Sequence, residues 1–149
     1  MSQTYFGSTL RAGSGTLTDS VDGGYVVMTQ TTTVTTAAAG TATSATITLP
    51  AQSQIIQFYL DGIVDAVAGA GTATTVPVTI GTAAAGTQYL SATDAIAGGR
   101  IALTFTTAQV AAMDDIGSNT SVVVTADPNG TISTTQGVYR LTVVYAQKV

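Results

Sequence analysis

The segment Val138-Tyr-Arg-Leu-Thr-Val-Val-Tyr145 decides the fold class of this chain. Apolar side chains fall on every second residue, so that Tyr139, Leu141, Val143 and Tyr145 share one face, whereas the other face is mixed and holds Val138, Arg140, Thr142 and Val144. Side chains of a β-strand alternate between the two faces of a sheet, and a period of two therefore predicts a long strand with one buried face.

The same pattern recurs towards the amino terminus, in runs rich in Thr, Val and Ile that are separated by turn residues. The predicted strands are a run that opens at Tyr25, Thr46–Leu49, a run with Ile56, Phe58 and Leu60 on one face, a run with Val76, Val78 and Ile80 on one face, Thr87–Leu90, a run with Ile101, Leu103 and Phe105 on one face, and Val122–Thr125. Pro77 has no N–H and predicts an edge strand. Asn129-Gly130 favours a tight hairpin, which would pair residues 131–133 with the strand before it.

Eight or so short strands at this spacing predict an all-β sandwich or barrel, and we favour a single β-sandwich with jelly-roll-like connections. One short helix is predicted near 107–113, where helix formers follow a capping Thr. Residues 25–149 form the sandwich domain in this interpretation, and residues 1–24, rich in Gly and Ser, form an irregular amino-terminal arm. Tyr5, Phe6 and Leu10 in the arm are the predicted protein-interface residues, with a solvated terminus as the alternative.

Composition excludes several classes of function. Charged residues make up 8% of the chain against about 25% in ordinary soluble domains, and only four residues are basic. Nucleic-acid binding needs clustered Lys and Arg, so we expect no nucleic-acid partner. No run approaches ~20 apolar residues, so we expect no membrane helix. A surface this poor in charge favours a protein that works in an assembly.

The chain lacks the residues that most catalytic and metal sites require. It has no His, Cys or Glu, which excludes Ser-His-Asp and Cys-His arrangements and zinc sites. Pairs of Asp could serve a glycosidase, and the candidates are Asp61 with Asp65, Asp94 with any partner, and Asp114 with Asp115. The chain is short of aromatic platforms for a sugar, and we therefore predict no enzyme, no metal site and no cofactor.

Several short loop sequences rich in Gly, Ala and Thr are interpreted as connections between strands without a binding role. Residues 81–86 have the glycine spacing of a phosphate loop but lack its Lys, and we attribute the spacing to chance. The phrases Ala39–Thr43, Ala70–Thr74 and Ala85–Thr87 resemble one another, yet their small uncharged side chains offer few anchors for a ligand.

Several segments between residues 45 and 146 resemble the small β-sandwich proteins that decorate, or cement, the capsids of tailed bacteriophages. The residues that carry the resemblance are Ala45–Ile56, Val78–Ala83 with Gln88–Leu90, Gly98–Arg100 and Val138–Tyr145. The resemblance implies a virion protein, made in the host cytoplasm, that sits on the capsid surface. It implies a homotrimer that clamps neighbouring subunits of the major capsid protein.

Two other interpretations stay open at this point. A tail-fibre or receptor-binding β domain is also β-rich and trimeric, but it would carry aromatic or polar binding loops. A carbohydrate-binding module would present a row of Tyr or Trp to stack on sugars.

Overall fold

The computed structural model describes residues 25–114 and 116–148, and these form two four-stranded antiparallel sheets and one short helix. The elements are β1 (Tyr25–Thr35), β2 (Thr43–Leu49), β3 (Ser53–Val64), β4 (Pro77–Gly81), β5 (Leu90–Asp94), β6 (Gly99–Ile101), α1 (Thr107–Ala112), β7 (Thr120–Ala126) and β8 (Val138–Lys148). The predicted arm with Tyr5, Phe6 and Leu10 lies outside the described residues, as does Asp115.

The strand order is that of a jelly roll. Sheet A has the order β1-β8-β3-β6, and sheet B has the order β2-β7-β4-β5. The first strand pairs with the eighth, the second with the seventh, the third with the sixth and the fourth with the fifth. A ribbon of four antiparallel pairs has thus folded over into two sheets, and the prediction of an all-β jelly-roll sandwich is confirmed.

The core lies between the sheets and is built mainly from aliphatic side chains of modest size. β8 shows how the sequence produces it, since the four alternate residues Tyr139, Leu141, Val143 and Tyr145 are all at most 1% exposed. Sheet B faces them with further fully buried residues: Leu49, Val78, Ile80, Leu90, Val122 and Val124. Burial of each such side chain contributes about 1.5–3 kcal/mol, so the paired alternation specifies the sandwich.

The predicted helix is present as α1, and its start is set by a capping box. The Thr106 hydroxyl accepts a hydrogen bond from the backbone N of Gln109, and the Gln109 side chain accepts one from the backbone N of Thr106. The buried Gln109 amide also donates to the backbone O of Thr87 and to Ser91. The cap therefore ties α1 to the β4–β5 connection and to β5.

The predicted facing of Ile56 in β3 is wrong. Ile56 is 51% exposed, whereas Ile55, Phe58 and Leu60 are buried. The register with β8 shifts between Ile55 and Gln57, so Ile56 is the extra residue of a β-bulge. A bulge lets two neighbouring side chains face the same way, and it places Ile56 on the outside of sheet A.

The prediction that Pro77 marks an edge strand is also wrong. β4 lies inside sheet B, between β7 and β5. Pro77 is the first residue of β4, a position at which a missing N–H costs no ladder bond, and its carbonyl accepts a hydrogen bond from the N of Asp127.

The hairpin predicted at Asn129-Gly130 does not form. Neither residue has a positive φ, and residues 131–133 bond to two other loops instead. The Asn129 side chain accepts from the backbone N of Thr74 and Thr75 at 2.8 and 3.0 Å and donates to the Thr74 hydroxyl. Asn129 therefore joins the β7–β8 loop to the β3–β4 loop.

Two of the similar loop phrases have the same structural role. An added Cβ on Gly40 would collide with the carbonyl of Gly130, and one on Gly71 would collide with the carbonyl of Thr131. The β1–β2 and β3–β4 loops thus lie against the same stretch of the β7–β8 loop. These contacts close one end of the sandwich with tightly packed backbone.

Candidate protein-interaction surface

The outer face of sheet A carries a row of ion-paired side chains, which we call the polar row: Tyr59, Asp61, Arg100 and Arg140. Asp61 on β3 is the register partner of Arg100 on β6 and of Arg140 on β8. Nε of Arg100 donates to one carboxylate oxygen of Asp61, and Nη2 of Arg140 donates to the other at 3.3 Å. Both Arg side chains are about half exposed or more, whereas that of Asp61 is 15% exposed.

Glycines allow β6 to lie close enough to β3 for this pairing. A Cβ on Gly62 would collide with the backbone of Gly98, and Gly98 and Gly99 both have positive φ angles of 64° and 69°. Glycine adopts this left-handed region without the steric cost that other residues meet. The Gly98-Gly99 turn therefore delivers Arg100 directly opposite Asp61.

Tyr59 completes the polar row, because the guanidinium group of Arg100 packs over its ring. The Arg100 guanidinium carbon lies 4.7 Å from the centroid of the Tyr59 ring, a cation–π distance. The Tyr59 hydroxyl donates to Oε1 of Gln57 at 2.8 Å, which fixes the ring in turn. The Arg100 side chain is thus held by one carboxylate and one aromatic ring.

Electrostatics keep Asp61 ionised. Desolvation acts to raise the pKa of Asp61, but hydrogen bonds and charge from Arg100 and Arg140 outweigh it, so that the pKa lies below its ordinary value. Two positive charges and one negative charge leave a net charge of +1 on the row, in a chain whose formal net charge is −4. The polar row is therefore a positively charged patch, and each Arg uses only one of its nitrogens in the ion pair with Asp61.

A second feature of sheet A is its uncharged edge at the start of β1, which we call the apolar edge: Tyr25–Met28. These four consecutive residues are 59%, 47%, 63% and 44% exposed. Because successive strand residues point to opposite faces, apolar side chains are exposed on both faces of this strand end. No charged residue occurs anywhere from Gly23 to Leu60.

A groove lies between the start of β3 and α1, and we call it the β3–α1 groove. It encloses about 410 Å³. Its lining residues are Gln54, Ile55, Ile56, Val110, Ala111, Met113 and Asp114. Ile56, turned outward by the bulge, and Val110 are 51% and 56% exposed, so the groove presents apolar side chains to its surroundings.

The Asp residues that we considered as catalytic candidates contact other parts of the protein. Asp61 is held by two guanidinium groups, and Oδ1 of Asp94 accepts hydrogen bonds from the backbone N of Val76 and of Ile96. A Cβ on Gly98 would collide with the carboxylate of Asp65. Asp114 lies at the groove, and its neighbour Asp115 is outside the described residues.

Three tyrosines that could have formed a sugar-stacking row are in the core. Tyr89, Tyr139 and Tyr145 are at most 3% exposed. Burial raises the pKa of Tyr89, and burial with the nearby charges of Asp94 and Asp65 raises that of Tyr139 to about 12. Tyr25 and Tyr59 remain at the surface, on the separate strands β1 and β3.

Sequence reasoning missed all three surface features. The partners in the polar row are 39 and 79 residues from Asp61 along the chain, and only the strand order brings them together. The pair Gly98-Gly99 before Arg100 was the sequence signal that could have indicated the polar row, since glycines in a strand mark a place where another backbone approaches closely. Within the part of the chain that is described, no group of three or more His, Cys, Asp or Glu is placed to hold a metal ion, and no helix is long and apolar enough to cross a membrane.

The fold and the surface define an all-β jelly-roll domain with a Tyr- and Arg-bearing face. No protein-family model matches the chain, and no curated protein matches it either. Among solved structures, a chain of the cyanophage Pam1 capsid asymmetric unit has a similar fold, with a TM-score of 0.56. The two chains are 20% identical, and the likeness covers 97% of each.

Proposed function

We propose that this chain is a structural protein of a phage virion, which binds the outside of the capsid and stabilises it by bridging neighbouring major capsid subunits. The observation that carries the proposal is the likeness in fold to a chain of a phage capsid asymmetric unit, because it extends over 97% of both chains. The shared fold therefore accounts for nearly the whole of both chains.

The polar row is the part of the surface that we assign to the capsid contact. Tyr and Arg are the residue types that most often dominate binding energy at protein interfaces. Tyr59 and Arg100 are already held in place by Gln57 and Asp61, so little side-chain entropy is lost when a partner binds. The net charge of +1 favours a contact with carboxylates of the major capsid protein.

One oligomer of this protein could bridge several capsid subunits, because each of its copies carries one polar row. In a homotrimer, three copies of the polar row would bind three neighbouring capsid subunits. Once the first contact has formed, the others form at a high effective concentration, so that contacts of modest strength together hold the shell. This role requires no catalytic residue, no metal, no nucleic acid and no membrane, and we propose that the protein uses none.

Reconstitution on empty shells tests the proposal. Capsids of the phage that encodes this chain would be prepared without it, and purified protein would then be added in increasing amounts. We expect saturable binding at a fixed number of copies per capsid subunit, and a higher temperature at which the shells open. An absence of binding at saturating protein, or binding without any change in shell stability, would contradict the proposed role.

A further inference from the structure

Three loops meet at one end of the sandwich, and we call their contact the three-loop junction: Gly40 of the β1–β2 loop, residues 72–75 of the β3–β4 loop and residues 129–131 of the β7–β8 loop. The backbone N of Thr131 donates to the Thr72 hydroxyl at 3.2 Å, and the Thr131 carbonyl accepts from the N of Thr72 at 3.1 Å. The Gly130 carbonyl packs against Gly40, where an added Cβ would collide with it. The β7–β8 loop is thus held from two sides.

Asn129 attaches both its side chain and its backbone to the β3–β4 loop. Its Oδ1 accepts from the N of Thr74 and Thr75 at 2.8 and 3.0 Å, and its Nδ2 donates to the Thr74 hydroxyl at 2.8 Å. The backbone N of Asn129 donates to the Thr75 carbonyl at 3.2 Å. Both polar atoms of the carboxamide are therefore bonded to another loop, although the residue itself is exposed to solvent.

The sequence Asn129-Gly130 is chemically prone to deamidation, because Gly has no Cβ to shield its backbone nitrogen. In this reaction the Gly130 nitrogen bonds to Cγ of Asn129, the Cγ–Nδ2 bond breaks, and ammonia leaves with the proton that the Gly130 nitrogen loses. Water then opens the resulting succinimide at either carbonyl, which gives aspartate or isoaspartate. Water is the only reagent required, and it has access to an exposed residue.

We propose that Asn129 is a deamidation site that the closed three-loop junction keeps unreactive, and that isoaspartate formed there prevents an opened junction from closing again. The attack requires the carboxamide to turn towards its own backbone, which breaks the hydrogen bonds to Thr74 and Thr75. The reaction rate then follows the fraction of molecules in which these loops have separated. This inference is independent of the proposed capsid role.

The modification is irreversible because its product does not fit the junction. Isoaspartate lengthens the main chain by one carbon atom and replaces the Nδ2 donor of Asn129 with an oxygen. The neighbouring Gly130 has no room to shift, since even an added Cβ there would collide with Thr72. The Thr74 hydroxyl loses its donor as well. An opening of the loops that begins as a reversible fluctuation thus becomes permanent.

Rates of deamidation in the folded and unfolded chain give the direct test. Both would be incubated at mildly alkaline pH, the unfolded chain in urea, and the tryptic peptide 101–140 analysed by mass spectrometry. We expect Asn129 to react at least about tenfold more slowly in the folded chain, because the open state is a minor population. Asn119, the other asparagine of this peptide, precedes the branched Thr120 and should react slowly in both. Equal rates at Asn129, or no reaction in urea, would overturn the inference.

Two variants test whether the junction provides the protection. Thr74→Val removes the acceptor of Nδ2 and should raise the rate at Asn129 in the folded chain about threefold or more, as expected for the loss of one hydrogen bond. Gly40→Ala should raise it too, because it displaces Gly130, and Gly117→Ala is its matched control. Circular dichroism would verify that each variant folds. An unchanged rate in folded Thr74→Val would overturn the inference.

The isolated product tests the claim that the junction stays open. Wild-type protein carrying isoaspartate at position 129 would be refolded, and amide hydrogen exchange measured at Thr74 and Thr75. We expect exchange at these two amides to be at least about tenfold faster than in unmodified protein, because both amides lose their acceptor. Unchanged protection of both amides would contradict the claim that the modification prevents closure.

Discussion

The hydroxyl of Tyr145 on β8 accepts a hydrogen bond from the side-chain amide of Gln30 on β1, across 2.8 Å. The same hydroxyl lies 3.8 Å from the sulfur of Met28. Tyr139, on the same face of the same strand, has a buried hydroxyl with no hydrogen-bond partner among the described residues. The two tyrosines are equally buried, and they differ in whether the polar atom is satisfied.

Replacement of each tyrosine by Phe should therefore have different effects on stability. Tyr145→Phe should lower the free energy of unfolding by about 1 kcal/mol, because the Gln30 amide loses its shorter hydrogen bond and keeps only the one to the backbone O of Thr48 at 3.5 Å. Tyr139→Phe removes an unsatisfied hydroxyl and should leave stability unchanged or raise it by up to about 1 kcal/mol. Urea denaturation of the two variants measures the difference, and equal losses would contradict this account of the core.

Gly40 should be intolerant of a side chain. Its φ is 73°, and an added Cβ would collide with the Gly130 carbonyl, so Gly40→Ala should lower the free energy of unfolding by more than about 2 kcal/mol. Gly117→Ala is the matched control, since nothing lies within 4 Å of an added Cβ there, and its effect should stay within about 0.5 kcal/mol. Thermal and urea denaturation provide the comparison. A mild effect at Gly40 would mean that the β1–β2 and β7–β8 loops pack less closely than described.

The contribution of Asp61 to stability should depend on pH. The pKa of Asp61 is lowered in the folded state, so the stabilisation is fully present above the unfolded pKa near 3.9 and is lost as pH falls through the folded value. The difference between wild type and Asp61→Asn should be at most about 1 kcal/mol at pH 7, because the Arg partners are exposed, and it should vanish in strong acid.

Asp127→Asn is the control for that pH dependence, because it makes the same change in charge at an exposed loop residue that forms no ion pair with the described residues. Its difference from wild type should vary much less between pH 7 and pH 3. A constant difference for Asp61→Asn across this range would show that the pairing with Arg100 and Arg140 contributes nothing to stability.

Capsid binding should depend on the polar row. Tyr59→Ala and Arg100→Ala should each weaken binding to shells about tenfold or more, since both remove a preorganised Tyr–Arg pair from the assigned contact. The effect of Arg100→Ala should shrink in high salt, because part of it is electrostatic. Thr46→Ala, on the outer face of sheet B, should bind as wild type does. Equal losses at Thr46 would assign the contact to the other sheet.

Much of the fold could be predicted from local pattern alone. Alternation in Val138–Tyr145 identified a strand with one buried face, and Thr and Gln at the start of α1 produced the cap. These features depend on residues within a few positions of one another, and the number and spacing of the strands indicated a sandwich or a barrel, with a jelly-roll sandwich as the favoured choice.

The features that were predicted wrongly depend on distant partners. The outward position of Ile56 comes from a register shift against Tyr145 and Val144, which no alternation within β3 reveals. Asn129 has the sequence context of a hairpin, but its side chain is taken up by Thr74 and Thr75 from another loop. The polar row and the groove likewise arise from strand order and from a bulge. Tyr5, Phe6 and Leu10 stay predictions.

The copy number of this protein in purified virions tests the central claim most directly. Quantitative mass spectrometry would give its ratio to the major capsid protein. A lattice-wide bridging protein predicts a ratio near one or a simple fraction of one. A handful of copies per particle would contradict that claim and point to a tail or vertex component, and complete absence from the virion would contradict a structural role in the particle altogether.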